Sequence, residues 1–122
     1  MEKILVVDDE IEVCNALKEY FSLKEYEVEI ALDGPTALIK IKEFDPHIIL
    51  LDIIMPGMGG IDVLKTARNI NPKIGIIMVT AVADEEIAKN TLKLGAYDYI
   101  TKPLDLNYLE TVVMVKMIDV LG

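Results

Sequence analysis

The sequence predicts an α/β fold built on a doubly wound parallel sheet of five strands with five helices. Three observations carry that expectation. Five short apolar runs, Lys3–Val7, Glu27–Ala31, His47–Leu51, Ile74–Val79 and Tyr97–Thr101, have the length and bounding turns of strands. Between them apolar residues recur at helical spacing, as in Val13, Cys14, Leu17, Tyr20, Phe21 and in Val63, Leu64, Ala67, Ile70. Strict alternation of the two kinds of element implies parallel strands joined by right-handed crossovers, with helices on both faces. At 122 residues the chain has room for one core and not for two, so a single domain over residues 1–122 is expected.

Each run also declares its place in the sheet. Ile4-Leu5-Val6-Val7, Ile48-Ile49-Leu50-Leu51 and Ile76-Ile77-Met78-Val79 are continuous apolar stretches, the pattern of strands covered on both faces. Glu27-Val28-Glu29-Ile30 and Tyr97-Asp98-Tyr99-Ile100 alternate, which places the second and fifth runs at the edges. Edges at two and five fit the flavodoxin-like order 2-1-3-4-5, whose ligands bind at the carboxyl ends of the strands. Gly34-Pro35 opens the second helix, Gly59-Gly60 precedes the third, Asn71-Pro72 ends it, and Gly95 closes the fourth.

Composition narrows the function. With 21 acidic and 12 basic side chains the net charge is -9, which repels nucleic acid and anionic lipid, and no basic run offsets it. No apolar run approaches the roughly 20 residues that cross a bilayer, so no membrane passage is expected. The one cysteine, Cys14, cannot form an internal disulfide, and Met1-Glu2-Lys3 leads straight into a strand, so a cytoplasmic setting is expected.

Polar residues at the ends of the runs carry the chemistry. The first run ends in Asp8-Asp9-Glu10, the third in Asp52, the fourth in Thr80 and the fifth in Lys102-Pro103. The fold brings these positions to one edge. Clustered carboxylates repel one another, and a hard divalent cation, magnesium above all, relieves that repulsion while leaving positions for phosphate oxygens. Asp52 ends the central strand, where its carboxylate can attack phosphorus, a recognised form of covalent catalysis. Lys102 and Thr80 could then neutralise or hydrogen-bond the equatorial oxygens.

These residues resemble the receiver domains of two-component response regulators over essentially the whole chain. The matching segments are Ile4-Leu5-Val6-Val7-Asp8-Asp9-Glu10, Leu51-Asp52-Ile53-Ile54-Met55-Pro56-Gly57-Met58, Thr80-Ala81 and Gly95-Ala96-Tyr97-Asp98-Tyr99-Ile100-Thr101-Lys102-Pro103. The resemblance implies that Asp52 accepts a phosphoryl group from a sensor histidine kinase or a histidine phosphotransfer protein. It implies a magnesium ion held by Asp8, Asp9, Asp52 and the backbone carbonyl of Ile54. It further implies a switch pair, Thr80 and Tyr99, and a cis bond between Lys102 and Pro103. On this reading the chain is no enzyme beyond its own phosphorylation and dephosphorylation. One departure is Gly59, where many members carry Asp; a weaker helix cap and a looser loop are expected.

Rival readings fare worse. A magnesium-dependent phosphatase of haloacid-dehalogenase type needs a second acid two residues after its nucleophile, and Ile54 stands there. A flavodoxin needs a hydroxyl-rich phosphate loop where this chain has Asp8-Asp9-Glu10. A degenerate, docking-only receiver would have lost an acceptor, metal or lysine position, and none is replaced. Cys14 falls on an apolar helical stripe and His47 lies far from the cleft, so a core and a surface position are expected.

The last helical stretch, Leu104 to Leu121, holds more apolar residues than one buried stripe needs, so some must face outward. The family's fourth helix, fifth strand and fifth helix form its switching face, which implies self-association or target binding there. Val113 and Met117 are expected among the outward residues that would probe it.

Overall fold

Parallel pairing in register is what gathers the strand ends. In a computed structural model describing residues 1–122, β1 (Lys3–Val7), β2 (Glu27–Ala31), β3 (Ile48–Leu51), β4 (Gly75–Thr80) and β5 (Asp98–Thr101) form one sheet in the order β2-β1-β3-β4-β5, all parallel. The helices between and after them are α1 (Ile11–Leu23), α2 (Gly34–Phe44), α3 (Gly60–Ile70), α4 (Glu85–Lys93) and α5 (Leu106–Leu121). The expected edges and order are observed. The strands differ from expectation by a residue at some ends: His47, Ile74 and Tyr97 stand just before β3, β4 and β5, and Thr80 completes β4.

Alternate residues of each strand enter opposite cores, as the two-residue period of a strand requires. Leu5, Val7, Ile49, Leu51, Ile76 and Met78 pack beneath α2 and α3, with Ala37, Ile41, Val63 and Leu64. Ile4, Val6, Ile48, Leu50, Ile77 and Val79 pack beneath α1 and α5, with Cys14, Phe21, Leu109 and Val113. Cys14 is fully buried, as expected. His47 is half-buried, not free at the surface: its Nδ1 accepts the backbone N–H of Lys3 at 3.0 Å, satisfying the first strand's opening donor.

Helix ends follow local chemistry. Asp33, Asp84 and Asp105 cap α2, α4 and α5, accepting from the N–H groups of Thr36, Ile87 and Tyr108. Gly59 caps α3 without a side-chain bond. Gly60 is there for space: a β-carbon on it would lie 1.9 Å from the carbonyl oxygen of Asp52. The start of α3 thus lies directly on the strand end that carries Asp52. No helix is long and apolar enough to cross a membrane.

The outward face of α5 differs from expectation. Val113 and Met117 are buried against the sheet, while Tyr108, Met114, Val115, Ile118 and Leu121 are exposed. A helix apolar nearly all round does not reveal from its own pattern which stripe turns inward.

Replacing Gly60 by Ala should destabilise the fold by about 2–3 kcal/mol, the cost of overpacking against backbone that cannot yield. Urea unfolding of Gly60→Ala beside the parent checks this; an unchanged midpoint would show that α3 can move off Asp52.

Candidate functional site

The register places the charged residues before any side chain chooses a rotamer. Val7 pairs with Leu51, so Asp8 and Asp52 emerge side by side, and Thr80 pairs with Thr101, so Lys102 emerges beside Thr80. The backbone extends this ladder: Asp52 N–H donates to the Val7 carbonyl at 2.9 Å, and Lys102 N–H to the Thr80 carbonyl at 2.8 Å. Asp8 and Asp52 are only 2% and 6% exposed, and Thr80 is buried, whereas Asp9 stands in solvent.

Two carboxylates buried together need a cation. Lys102 is the one the protein supplies. Its Nζ lies 2.7 Å from Asp8 Oδ2, 3.5 Å from Asp52 Oδ2 and 3.7 Å from Glu10 Oε1. Asp8 Oδ1 also accepts the Glu10 N–H at 2.9 Å. Burial nonetheless outweighs these bonds and raises the Asp8 carboxyl above the usual aspartate value, with the charge of Asp52 adding to the effect. At Lys102 burial pulls downward, but the hydrogen bond to Asp8 and the charges of Asp52, Asp8 and Glu10 prevail and hold the ammonium above its ordinary value.

One ammonium does not complete the site. Asp52 Oδ1 is buried with no hydrogen-bond partner, and an oxygen of each of Asp8, Asp9 and Asp52 lies within 4.8 Å of the others. Oxygen donors that close, with one orphaned, suit a hard divalent cation. Ile54, whose carbonyl was expected to join them, lies just beyond Asp52 with its side chain 64% exposed.

Thr80 and Tyr99 meet through the backbone of Val82, a contact that the residue pattern does not announce. Thr80 Oγ1 accepts the Val82 N–H at 3.3 Å, and the Tyr99 hydroxyl donates to the Val82 carbonyl. Both faces of one loop residue are therefore held by the two side chains expected to act as a pair. Backbone contacts of this kind leave no mark in a residue pattern. Cys14 adds a second contact that sequence reasoning missed: its Sγ donates to the Asp8 carbonyl at 3.3 Å. Burial pushes that thiol up to about 11, so it remains protonated and a donor at neutral pH. The Lys102-Pro103 peptide is cis.

A sequence model of the response regulator receiver domain matches residues 4–114. Regulatory protein AtoC of Escherichia coli K12 is 40% identical over 113 residues, 93% of this chain and 24% of that protein. Sporulation initiation phosphotransferase F of Bacillus subtilis is 35% identical over 106 residues, 87% of this chain and 86% of that protein. The chain thus spans about a quarter of the first relative and most of the second. A crystal structure of a CheY-like response regulator receiver domain protein from Methanospirillum hungatei superimposes with a TM-score of 0.95 at 32% identity, covering 98% of this chain and 96% of that one.

Lys102→Met should destabilise the metal-free protein by about 2 kcal/mol, because it strands two buried carboxylates without a counter-ion. Asp8→Asn should act in the opposite direction, since the raised Asp8 value shows that ionisation is costlier in the folded chain than in the unfolded one. Chemical unfolding in chelator at neutral pH measures both; a stabilised Lys102→Met variant would contradict the assignment of Lys102 as the compensating charge.

Proposed function

Because this chain belongs to the response regulator receiver domain family, we propose that residues 1–122 form one receiver that takes a phosphoryl group onto Asp52 from a phosphohistidine. The observation that carries the reading is the buried Asp52 carboxylate, one oxygen without a partner, set among Asp8, Asp9, Thr80 and Lys102. Receiver domains interact with histidine kinases or phosphotransfer proteins, and a donor of either kind would supply the group. In the transfer the bond from the histidine nitrogen to phosphorus breaks and a bond from an Asp52 carboxylate oxygen forms, with the electron pair returning to the imidazole.

Each neighbour has a task in that exchange. Asp8, Asp9, Asp52 and the Ile54 carbonyl would hold a magnesium ion, which supplies positive charge to the phosphoryl oxygens when bound. Lys102, already poised between Asp8 and Asp52, offers an N–H to one oxygen. Thr80 accepts from Val82, so its own proton is free to be donated to another. Turning the Thr80 hydroxyl toward phosphorus gives up the Val82 N–H, and Val82 is the residue that holds Tyr99. The switch therefore has a route of two hydrogen bonds from phosphate to the edge strand.

The altered state would be read, in the cytoplasm, by a downstream protein or by a second copy at the face of α4, β5 and α5. The exposed apolar residues of α5 supply part of that face. The phosphatase alternative loses ground in the structure, because the place for its second acid is the exposed apolar side chain of Ile54. The chain would catalyse only its own phosphorylation and dephosphorylation.

Incubation with acetyl phosphate and magnesium should add one acid-labile, hydroxylamine-sensitive phosphoryl group to the parent and none to Asp52→Asn. Stoichiometric labelling of that variant would refute the acceptor assignment. Asp9→Ala should lose magnesium affinity, read by calorimetry, while retaining its fold.

Dephosphorylation should be slow. In receiver domains the positions two residues after the acceptor and after the switch hydroxyl flank the path of an in-line water, and here both, Ile54 and Val82, are apolar and cannot orient it. Ile54→Asn combined with Val82→Glu should shorten the phosphoryl lifetime by about tenfold, a conservative figure for one positioned polar group. Decay followed after donor removal decides this, and an unchanged or longer lifetime would defeat the water-access argument.

A further inference from the structure

At the opposite edge of the sheet from the acidic cleft, the end of α3, the start of β4 and the approach to β5 enclose an open groove of about 370 Å³. Three cations enter it from three elements: Arg68 from α3, Lys73 from the α3–β4 connection and Lys116 from α5. No carboxylate lines it, although acids outnumber bases 21 to 12 in the chain. Glycines make room for two of the cations. A β-carbon at Gly75 would lie 2.7 Å from Lys116 Cγ, and one at Gly95 would lie 2.8 Å from Arg68 Cδ. Gly95 is also required by its φ of +108°.

The charges in this groove are poorly compensated. Arg68 donates to the carbonyls of Pro72 and Ile74, its Nε is buried with no acceptor, and no acid pairs with it. Burial without a counter-ion lowers its hold on the proton, the signature of a cation that would gain from a nearby anion. Lys73 is exposed and unpaired. Lys116 lies 4.7 Å from the centre of the Tyr97 ring, with only Asp119, on the solvent side, at 2.7 Å. Of the three cations only Lys116 is ion-paired, to Asp119, while Asp45 and Asp119 line the neighbouring cavities beside Lys73 without pairing with it.

We propose that this groove binds a small polyphosphate anion, free or carried by a nucleoside, on Lys73 and Lys116 with Arg68 beneath. The partly exposed Tyr97 ring offers a face beside the phosphate positions, and the enclosed volume is within the range of small-ligand sites. This site is independent of the phosphoryl acceptor reading, since none of its residues belongs to the acidic cleft.

The test is an amide chemical-shift titration of the whole chain in excess chelator, so that no metal can draw phosphate into the acidic cleft. Inorganic phosphate, pyrophosphate and adenosine triphosphate serve as probes. Saturable shifts at Lys73, Gly95 and Tyr97 are expected, stronger with pyrophosphate than with phosphate. Lys73→Glu, at an exposed position, should weaken binding about tenfold, the size of one charge-assisted contact, whereas Asp52→Asn should not. Tighter binding of the triphosphate with shifts of the Tyr97 ring assigns a nucleoside; equal binding of the two assigns the phosphate chain. No saturation below about 10 mM, equal shifts in Lys73→Glu, or shifts confined to Thr80 and Lys102 would each overturn the proposal.

Discussion

The pairing of β1 with β3 is the constraint from which the rest follows. Once Val7 and Leu51 are partners, Asp8 and Asp52 leave the sheet together and are buried together. Two adjacent carboxylates in a dry site are unstable unless positive charge is brought to them. The fold meets that demand from the far end of the sequence, through Lys102 at the end of the edge strand β5. That one ammonium is shared among three acids, which leaves the site short of positive charge and receptive to a cation. Receptiveness is thus a consequence of incomplete compensation and not of any single residue.

Supporting contacts keep this charged cluster in place. Gly60 allows the start of α3 to lie on the Asp52 carbonyl, so the strand end cannot drift without moving a helix. On the other side, Cys14 holds the Asp8 carbonyl from within the core beneath α1. Both devices act on main-chain oxygens of the acidic residues and leave their carboxylates free. The charged side chains can therefore exchange partners while the backbone that presents them remains fixed.

The half of the domain around α4 is built differently. Only Thr91 of α4 is buried, and the loop before this helix is tied by the two hydrogen bonds at Val82. An element with so little buried surface can shift at small cost, while α1, α2, α3 and α5 are anchored by two cores. From Thr80 the two hydrogen bonds at Val82 run to Tyr99 on β5, beside this lightly buried helix.

The two edge strands and the acidic, hydroxyl and lysine residues that close the strands were legible in the sequence alone, and the strand order followed from the edges only by its fit to the flavodoxin-like order. The reason is that burial imposes a local period: Ile48-Ile49-Leu50-Leu51 can only be covered on both faces, and Glu27-Val28-Glu29-Ile30 only on one. What ends such a run is then predictable as a strand-end residue. Tertiary structure alone decided the phase of α5, where Val113 and Met117 turned inward and Met114 and Ile118 outward, because a helix apolar all round carries no phase of its own. It also decided the contacts made by main-chain atoms, those of Val82, the Asp8 carbonyl and the Asp52 carbonyl beside Gly60. Backbone groups are the same at every residue, so their partners are set by where the fold places them and not by which side chain is written there.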